Sequence, residues 1–214
     1  MRTVIPKAVV LAYLMIALAQ CAYAAPTGLN VMTTADVLGH NEVALEYQND
    51  GVRLFGDDCS HWALLQLGLL DRVELGVDRC FDGEMGTFGN AKVLLQEEEE
   101  TRPAVAVGVQ NLADGESAQP YVVLAQDTAG ARLHLGVIRL DGDIEIMAGV
   151  ECGLSEPVTL MVDHVTGEES ASGVGLGVDL TEGLSLCLSR IIAHSADGDD
   201  SWQVILGLAS EAAF

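Results

Sequence analysis

An aliphatic-Gly-aliphatic tripeptide recurs along this chain, at Leu67-Gly68-Leu69, Leu75-Gly76-Val77, Val107-Gly108-Val109, Leu135-Gly136-Val137, Leu176-Gly177-Val178 and Leu206-Gly207-Leu208. Successive side chains of a β-strand point to opposite faces, so each tripeptide puts its aliphatics on one face and its glycine on the other. The surrounding residues extend the contrast. One face is Val, Leu or Ile, and the other is Gly, Ala, Ser and scattered charge. A closed antiparallel barrel with lipid outside and a crowded polar interior places that demand on its strands. Twelve such segments can be read, near 42 to 48, 61 to 69, 72 to 80, 90 to 98, 104 to 112, 121 to 127, 131 to 140, 144 to 152, 157 to 164, 172 to 180, 184 to 192 and 202 to 210. The fold class is all-β, an antiparallel up-and-down transmembrane β-barrel of about 12 strands.

Two further regularities support closure. Joins after even strands are short, as at Leu70-Asp71, Thr128-Ala129-Gly130 and Thr181-Glu182-Gly183. Joins after odd strands are mostly longer, with Asp141-Gly142-Asp143 the exception. Membrane barrels sort their loops in this way, short at one rim and long at the other. A nine-residue strand tilted by roughly 40° rises about 23 Å, close to the apolar band of such barrels. The outward face comprises Val73, Leu75, Val77, Val105, Val107, Val109, Leu133, Leu135, Val137, Val174, Leu176, Val178, Leu184, Leu186, Leu188, Val204, Leu206 and Leu208. The same periodicity also fits the dry core of a soluble exported β-sandwich, a binding or adhesin-like module.

The first residues bear on compartment. Arg2 and Lys7 precede the apolar run Ala8 to Ala19, and Ala22-Tyr23-Ala24 is a small-x-small cleavage pattern. Residues 1–24 are expected to be a signal peptide cut near Ala24, 25–41 an N-terminal lead segment and 42–214 the barrel. Leu18-Ala19-Gln20-Cys21 has the outline of a lipobox, with Gln20 where a small residue belongs. The lead is not periodic and is expected to fold inward or cap one end.

Charge narrows the partners. The chain carries 32 acidic and 10 basic residues, a formal net charge of −22, and loss of Arg2 and Lys7 deepens it by two. Such a surface repels nucleic acid and attracts only cations or basic partners. The inward acidic set is Glu46, Glu74, Asp78, Glu145, Glu151 and Asp179, with Arg132 and His134 on the same face. An open lumen lined this way would favour small cations.

Other chemistry is sparse. The sequence has no GxSxG, HExxH or phosphate-loop motif. Asp163-His164 near Ser170 and Ser172 is the nearest approach to a hydrolase constellation. Asp197, Asp199 and Asp200 around Gly198 resemble a cation-binding loop without its twelfth-position Glu. Neither zinc spacing nor a cofactor motif is present. The expectation is a non-enzyme with no metal and no cofactor, an outer-membrane hydrolase standing as the third reading. Cys59 and Cys80 fall at the same end of neighbouring strands, where an oxidising compartment permits a disulfide.

These features resemble Gram-negative outer-membrane β-barrel proteins. Phe214 ends a strand in which Trp202, Val204, Leu206, Leu208, Ser210 and Ala212 share its parity. In that family a terminal aromatic and alternating apolar residues form the signal read by the barrel-assembly machinery. The stretch Leu67 to Val77 resembles a porin hairpin, a short Asp-bearing turn followed by Glu-Leu-Gly. Gly28 to Leu45 is more loosely similar to the opening of barrels associated with exopolysaccharide secretion. The resemblance implies the outer membrane as location, its lipid as partner and a structural or porin-type role. Such barrels carry aromatic girdles, for which Tyr47, Phe55, Trp62, Tyr121 and Trp202 are the candidates.

Overall fold

The computed structural model describes residues 28–54, 59–82, 86–112, 117–168, 170–196 and 198–211. Among them are twelve strands: β1 (Glu42–Gly51), β2 (Cys59–Leu69), β3 (Val73–Cys80), β4 (Thr87–Gln96), β5 (Ala104–Leu112), β6 (Gln119–Thr128), β7 (Ala131–Leu140), β8 (Asp143–Ser155), β9 (Val158–Val165), β10 (Ala171–Thr181), β11 (Leu184–Ala193) and β12 (Ser201–Glu211). Each pairs antiparallel with its neighbours in sequence, and β1 pairs with β12 from Glu42↔Glu211 to Gly51↔Trp202. The sheet is therefore one closed barrel with no free edge. The sandwich alternative does not hold, because it would divide the strands between two sheets.

Loop length sorts by rim. Leu70 and Asp71, with φ of 57° and 56°, are the left-handed pair of a tight three-residue join that Arg72 N closes onto Leu69 O at 3.3 Å. The short joins define one end, and the joins at 52–58, 81–86, 113–118, 166–170 and 194–200 define the other. Asp141-Gly142, with φ of 47° and 107°, is the one tight turn on the long-loop side.

The strand faces alternate without slipping through the centre of the wall. On β7, Leu135 is 55% exposed outward while His134 is 3% exposed inward. Leu75, Val77, Leu133, Val137, Val174, Leu176, Leu186, Leu188 and Leu206 are likewise exposed on the outside. Full burial of such a side chain is worth about 1.5–3 kcal/mol, and the exposed part of each forgoes its share by facing water rather than an apolar phase. Membrane barrels present such an exterior to lipid.

The interior holds a core of its own. Ala104, Ala106, Tyr121, Val123, Ala125, Ile138, Met147 and Val165 form a buried cluster with Met32 and Ala35 of the lead. A second small cluster joins Leu38 to Ala44 and Ala209. The lead has folded inward. The inner-face glycines explain how it fits, since a Cβ at Gly68 would strike the Leu38 and Gly39 carbonyls. At Gly149 it would strike Leu29 and Met32, and at Gly173 and Gly175 the Asn30 side chain.

Candidate functional site: the plugged lumen

Residues 28–41 form a plug that touches strands on every side of the barrel. Its tip is a short turn in which Leu29 N donates to Met32 O at 2.8 Å. Asp163 on β9 accepts three donors from that turn: Asn30 Nδ2 at 2.7 Å, Val31 N at 2.6 Å and Met32 N at 2.9 Å. Asn30 Oδ1 accepts Ser189 Oγ from β11 at 2.5 Å. The carboxylate supplies partners that a turn buried in a lumen has no water to provide.

The middle and base of the plug are held by charge. Lys92 Nζ on β4 donates to Thr34 O at 3.3 Å and lies 3.7 Å from Glu74 Oε1, with both side chains almost completely buried. Glu74 Oε2 on β3 accepts Leu38 N at 3.0 Å. Across the barrel, Arg132 donates to Asp36 of the plug through Nη2 at 2.7 Å and Nε at 3.3 Å. The same guanidinium reaches Glu98 at 2.5 Å and Asp127 at 2.7 Å and lies 3.9 Å from Glu151. Asn41 N donates to Gly68 O at 3.1 Å where the chain turns into β1.

On the long-loop side of the plug lie two cavities. One, of about 330 Å³, is lined by Glu46, Gln48, Leu64, Gln66, Glu74, Asp78, Asn90, Gln203 and the plug tip. The other, of about 430 Å³, lies against Ile138, Leu140, Met147, Val165 and Ala171. Val31, Thr33 and Gln110 border both. The wall of the first is acidic. Asn90 Nδ2 donates to Asp78 Oδ2 at 3.0 Å, whereas Gln66 Oε1, Asp78 Oδ1 and Gln203 Oε1 are buried without a hydrogen-bond partner among the described residues.

The sequence-derived inward residues are distributed as follows. Glu46 and Asp78 line the first cavity, and Glu74 is there too but is turned toward the plug. His134 Nε2 meets Glu151 Oε1 at 3.0 Å beside Arg132. Glu145 is bound by the Thr166 hydroxyl near the long-loop rim. Asp179 pairs with Ser185 in register and is exposed at the short-turn rim. Asp36, His134 and Glu151 each bring a ligand atom within 4.8 Å of the others, but Arg132 already engages both Asp36 oxygens.

Other sequence candidates resolve differently. Cys59 and Cys80 are both free thiols: Cys59 Sγ donates to Arg53 O at 3.5 Å and Cys80 Sγ to Asp82 O at 3.2 Å. Cys80 lies opposite Trp62, three residues from Cys59, so strand alternation puts the two thiols on opposite faces. His164 Nδ1 and His194 Nε2 flank Ser172 Oγ at 2.9 and 2.8 Å, on the outer face. Asp163 points into the lumen, so the carboxylate next in sequence does not stand behind that imidazole. Asp200 accepts from Arg190 at 3.0 Å, and Arg190 lies over the Trp202 ring. Of the girdle candidates, Tyr121 and Trp62 face inward, Trp62 against Phe88, while Tyr47 and Trp202 face out. Phe55, Asp197, Phe214 and the signal segment lie outside the described residues.

Asn30, Asp36 and Lys92 are site residues that sequence reasoning missed, and Asp163, read there beside His164, serves the plug instead. Lys92 and Asp163 carry a readable signal, a charge at an inward position of an otherwise apolar strand.

Solved structures share this architecture. The KdgM porin in complex with disordered oligogalacturonate matches with a TM-score of 0.56 at 7% identity, covering 79% of this chain and 99% of the porin. The KdgM porin alone matches at 0.54 and 9% identity, with the same coverage. The fold is a closed antiparallel barrel similar to that of the KdgM porin. No protein-family model and no curated protein matches the sequence.

Proposed function

We propose that this protein is an outer-membrane barrel of the channel type, closed at rest by its own lead segment and favouring cations when open. A single observation carries the reading: an unbroken apolar exterior encloses a polar, acidic lumen occupied by a segment of the same chain. A barrel serving only as an anchor has no need of a cavity lined by Glu46, Glu74 and Asp78. Export behind residues 1–24, assembly through the Phe214 signal and a location in outer-membrane lipid complete the proposal. KdgM is described in complex with oligogalacturonate, a polyanion. The lining of the acidic cavity of about 330 Å³ contains no Lys, Arg or His, which suits the opposite charge.

Envelope fractionation is the first test, with the outer-membrane fraction run on a gel with and without boiling. A heat-modifiable, detergent-dependent band is expected, and a band soluble in the periplasm would end the proposal. Planar-bilayer recording across a KCl gradient then reads the sign of the reversal potential. Cation selectivity is expected, reduced in Glu46→Gln/Asp78→Asn. Anion selectivity would overturn the charge assignment.

A further inference from the structure

The acidic wall of the smaller cavity has an order that plain repulsion of anions does not require. Glu46 on β1 pairs in register with Leu64 on β2, and Leu64 pairs with Asp78 on β3. The three therefore form one inward row, carboxylate, aliphatic, carboxylate. Adjacent strands are about 4.8 Å apart, so the carboxylates rise from backbones roughly 9.6 Å apart. Neither Glu46 nor Asp78 belongs to any ion pair among the described residues. Buried carboxylates are ordinarily paired with a cation.

A second observation is independent of the acids. Gln66 and Gln203, only 8% and 7% exposed, line the same cavity with Oε1 atoms that have no hydrogen-bond partner among the described residues. Asp78 Oδ1 is in the same condition. Unpaired buried acceptors call for a ligand rich in donors. The Glu46, Glu74 and Asp78 carboxylates do not converge as the acids of a metal cage do. The one group of three His, Cys, Asp or Glu residues with ligand atoms within 4.8 Å of one another, among the described residues, lies elsewhere, at Asp36, His134 and Glu151. A cation that fits must bring its own N–H donors at two separated points, with apolar length between them for Leu64, Leu29 and Ile205 to cover.

We propose that the cavity binds a short aliphatic diamine, one ammonium on Glu46, the other on Asp78, with its methylenes over Leu64. A four-carbon diamine has nitrogens about 6 Å apart, which lies within the roughly 9.6 Å between the two backbones once each carboxylate reaches inward to an ammonium. The remaining ammonium protons meet Gln66 Oε1 and Gln203 Oε1. A volume of about 330 Å³ admits such a molecule with a few waters. The inference rests on the cation-favouring lumen proposed above and narrows it to a ligand class.

The test is isothermal titration of the full mature chain, extracted in detergent, with 1,4-diaminobutane, n-butylamine and CaCl₂ in turn. Saturable one-to-one binding of the diamine is expected, with n-butylamine weaker by roughly tenfold or more, since it forfeits one charged contact. Glu46→Gln and Asp78→Asn should each weaken the diamine to a similar degree, and the double variant should abolish binding. Retention of the heat-modifiable band checks that each variant has folded. A rise in the unfolding temperature of the unaltered protein with added diamine is a second readout that needs no variant. Absence of saturable binding, equal affinity for n-butylamine, survival of binding in the double variant, or tighter binding of Ca²⁺ would each overturn the site. No current is measured, so a cation-selective barrel that binds no diamine removes this inference alone. A chain found soluble removes the channel reading.

Discussion

The two inner walls of this barrel solve different problems with the same strand. On β5–β8 the apolar inward residues Ala104, Ala106, Tyr121, Val123, Ala125, Ile138 and Met147 pack against Met32 and Ala35, with Arg132, His134, Glu145 and Glu151 inward beside them on β7 and β8. On β1–β3 the inward residues include Glu46, Gln66, Glu74 and Asp78, with Gly76 leaving room for the Gln66 and Asn90 side chains. The first wall is a core that happens to lie inside a tube, and the second is a binding surface. A lumen therefore does not have to be uniformly polar. The plug is seated against one wall by packing and tied to the other through Glu74 and Lys92, and the space left over falls on the acidic side.

The contrast is most directly broken at Lys92. Lys92→Met strands Glu74 in a buried site and should cost about 3–5 kcal/mol, read by urea unfolding in micelles. Glu46→Gln, on the same polar side but against the cavity, should cost nothing measurable; equal losses would mean that the acidic wall is as tightly packed as the other. Val107→Arg, on the lipid face behind the apolar wall, should cost about 2–4 kcal/mol near mid-membrane and reduce the heat-modifiable band. Normal assembly of that variant would remove the lipid from the outside of the barrel. Asp163→Asn weakens charge-assisted bonds to the plug tip and should cost about 1.5–3 kcal/mol, with more frequent openings in bilayer recordings. Unchanged openings would mean that the tip does not control the passage. Leu70→Asn sharpens the comparison from outside either wall. Leu70 holds a left-handed φ of 57° at a fully formed turn, and Asn there should add about 0.5–1 kcal/mol.

The strands were readable because lipid and lumen make opposite demands on alternate residues, and a period of two survives for the whole span of β7 or β10. Their ends were less so. β1 runs on to Gly51 and β2 begins at Cys59, beyond the 42 to 48 and 61 to 69 expected, because rim residues such as Asn49 and His61 lie beyond the apolar band and lose the contrast. Inward parity located Glu46 and Asp78 but not their surroundings. That Glu74 would be used up by Leu38 and Lys92 depends on a segment without periodicity. Trp62 and Tyr121 were assigned to a girdle by their nearness to strand ends, although each shares parity with inward neighbours, Trp62 with Gln66 and Tyr121 with Val123. Parity was the stronger signal. Asn30 and Asp163 are 133 positions apart, and no local pattern in the sequence joins them.

That separation has a kinetic meaning. The plug tip bonds to Asp163 and, 159 positions away, to Ser189, so its partners are among the last strands of the chain. Contacts between such distant residues form only after the intervening chain has been ordered, and the cost of closing so long a loop falls on a barrel already nearly built. The lead segment should accordingly dock last, into a tube that is hollow and wet until it arrives. Pulse-labelled amides of residues 29–32 would gain exchange protection later than those of β6 and β7. A barrel caught before that step would be complete in its wall and unobstructed, so that, on the proposed channel reading, the age of a molecule would bear on conduction as much as any ligand.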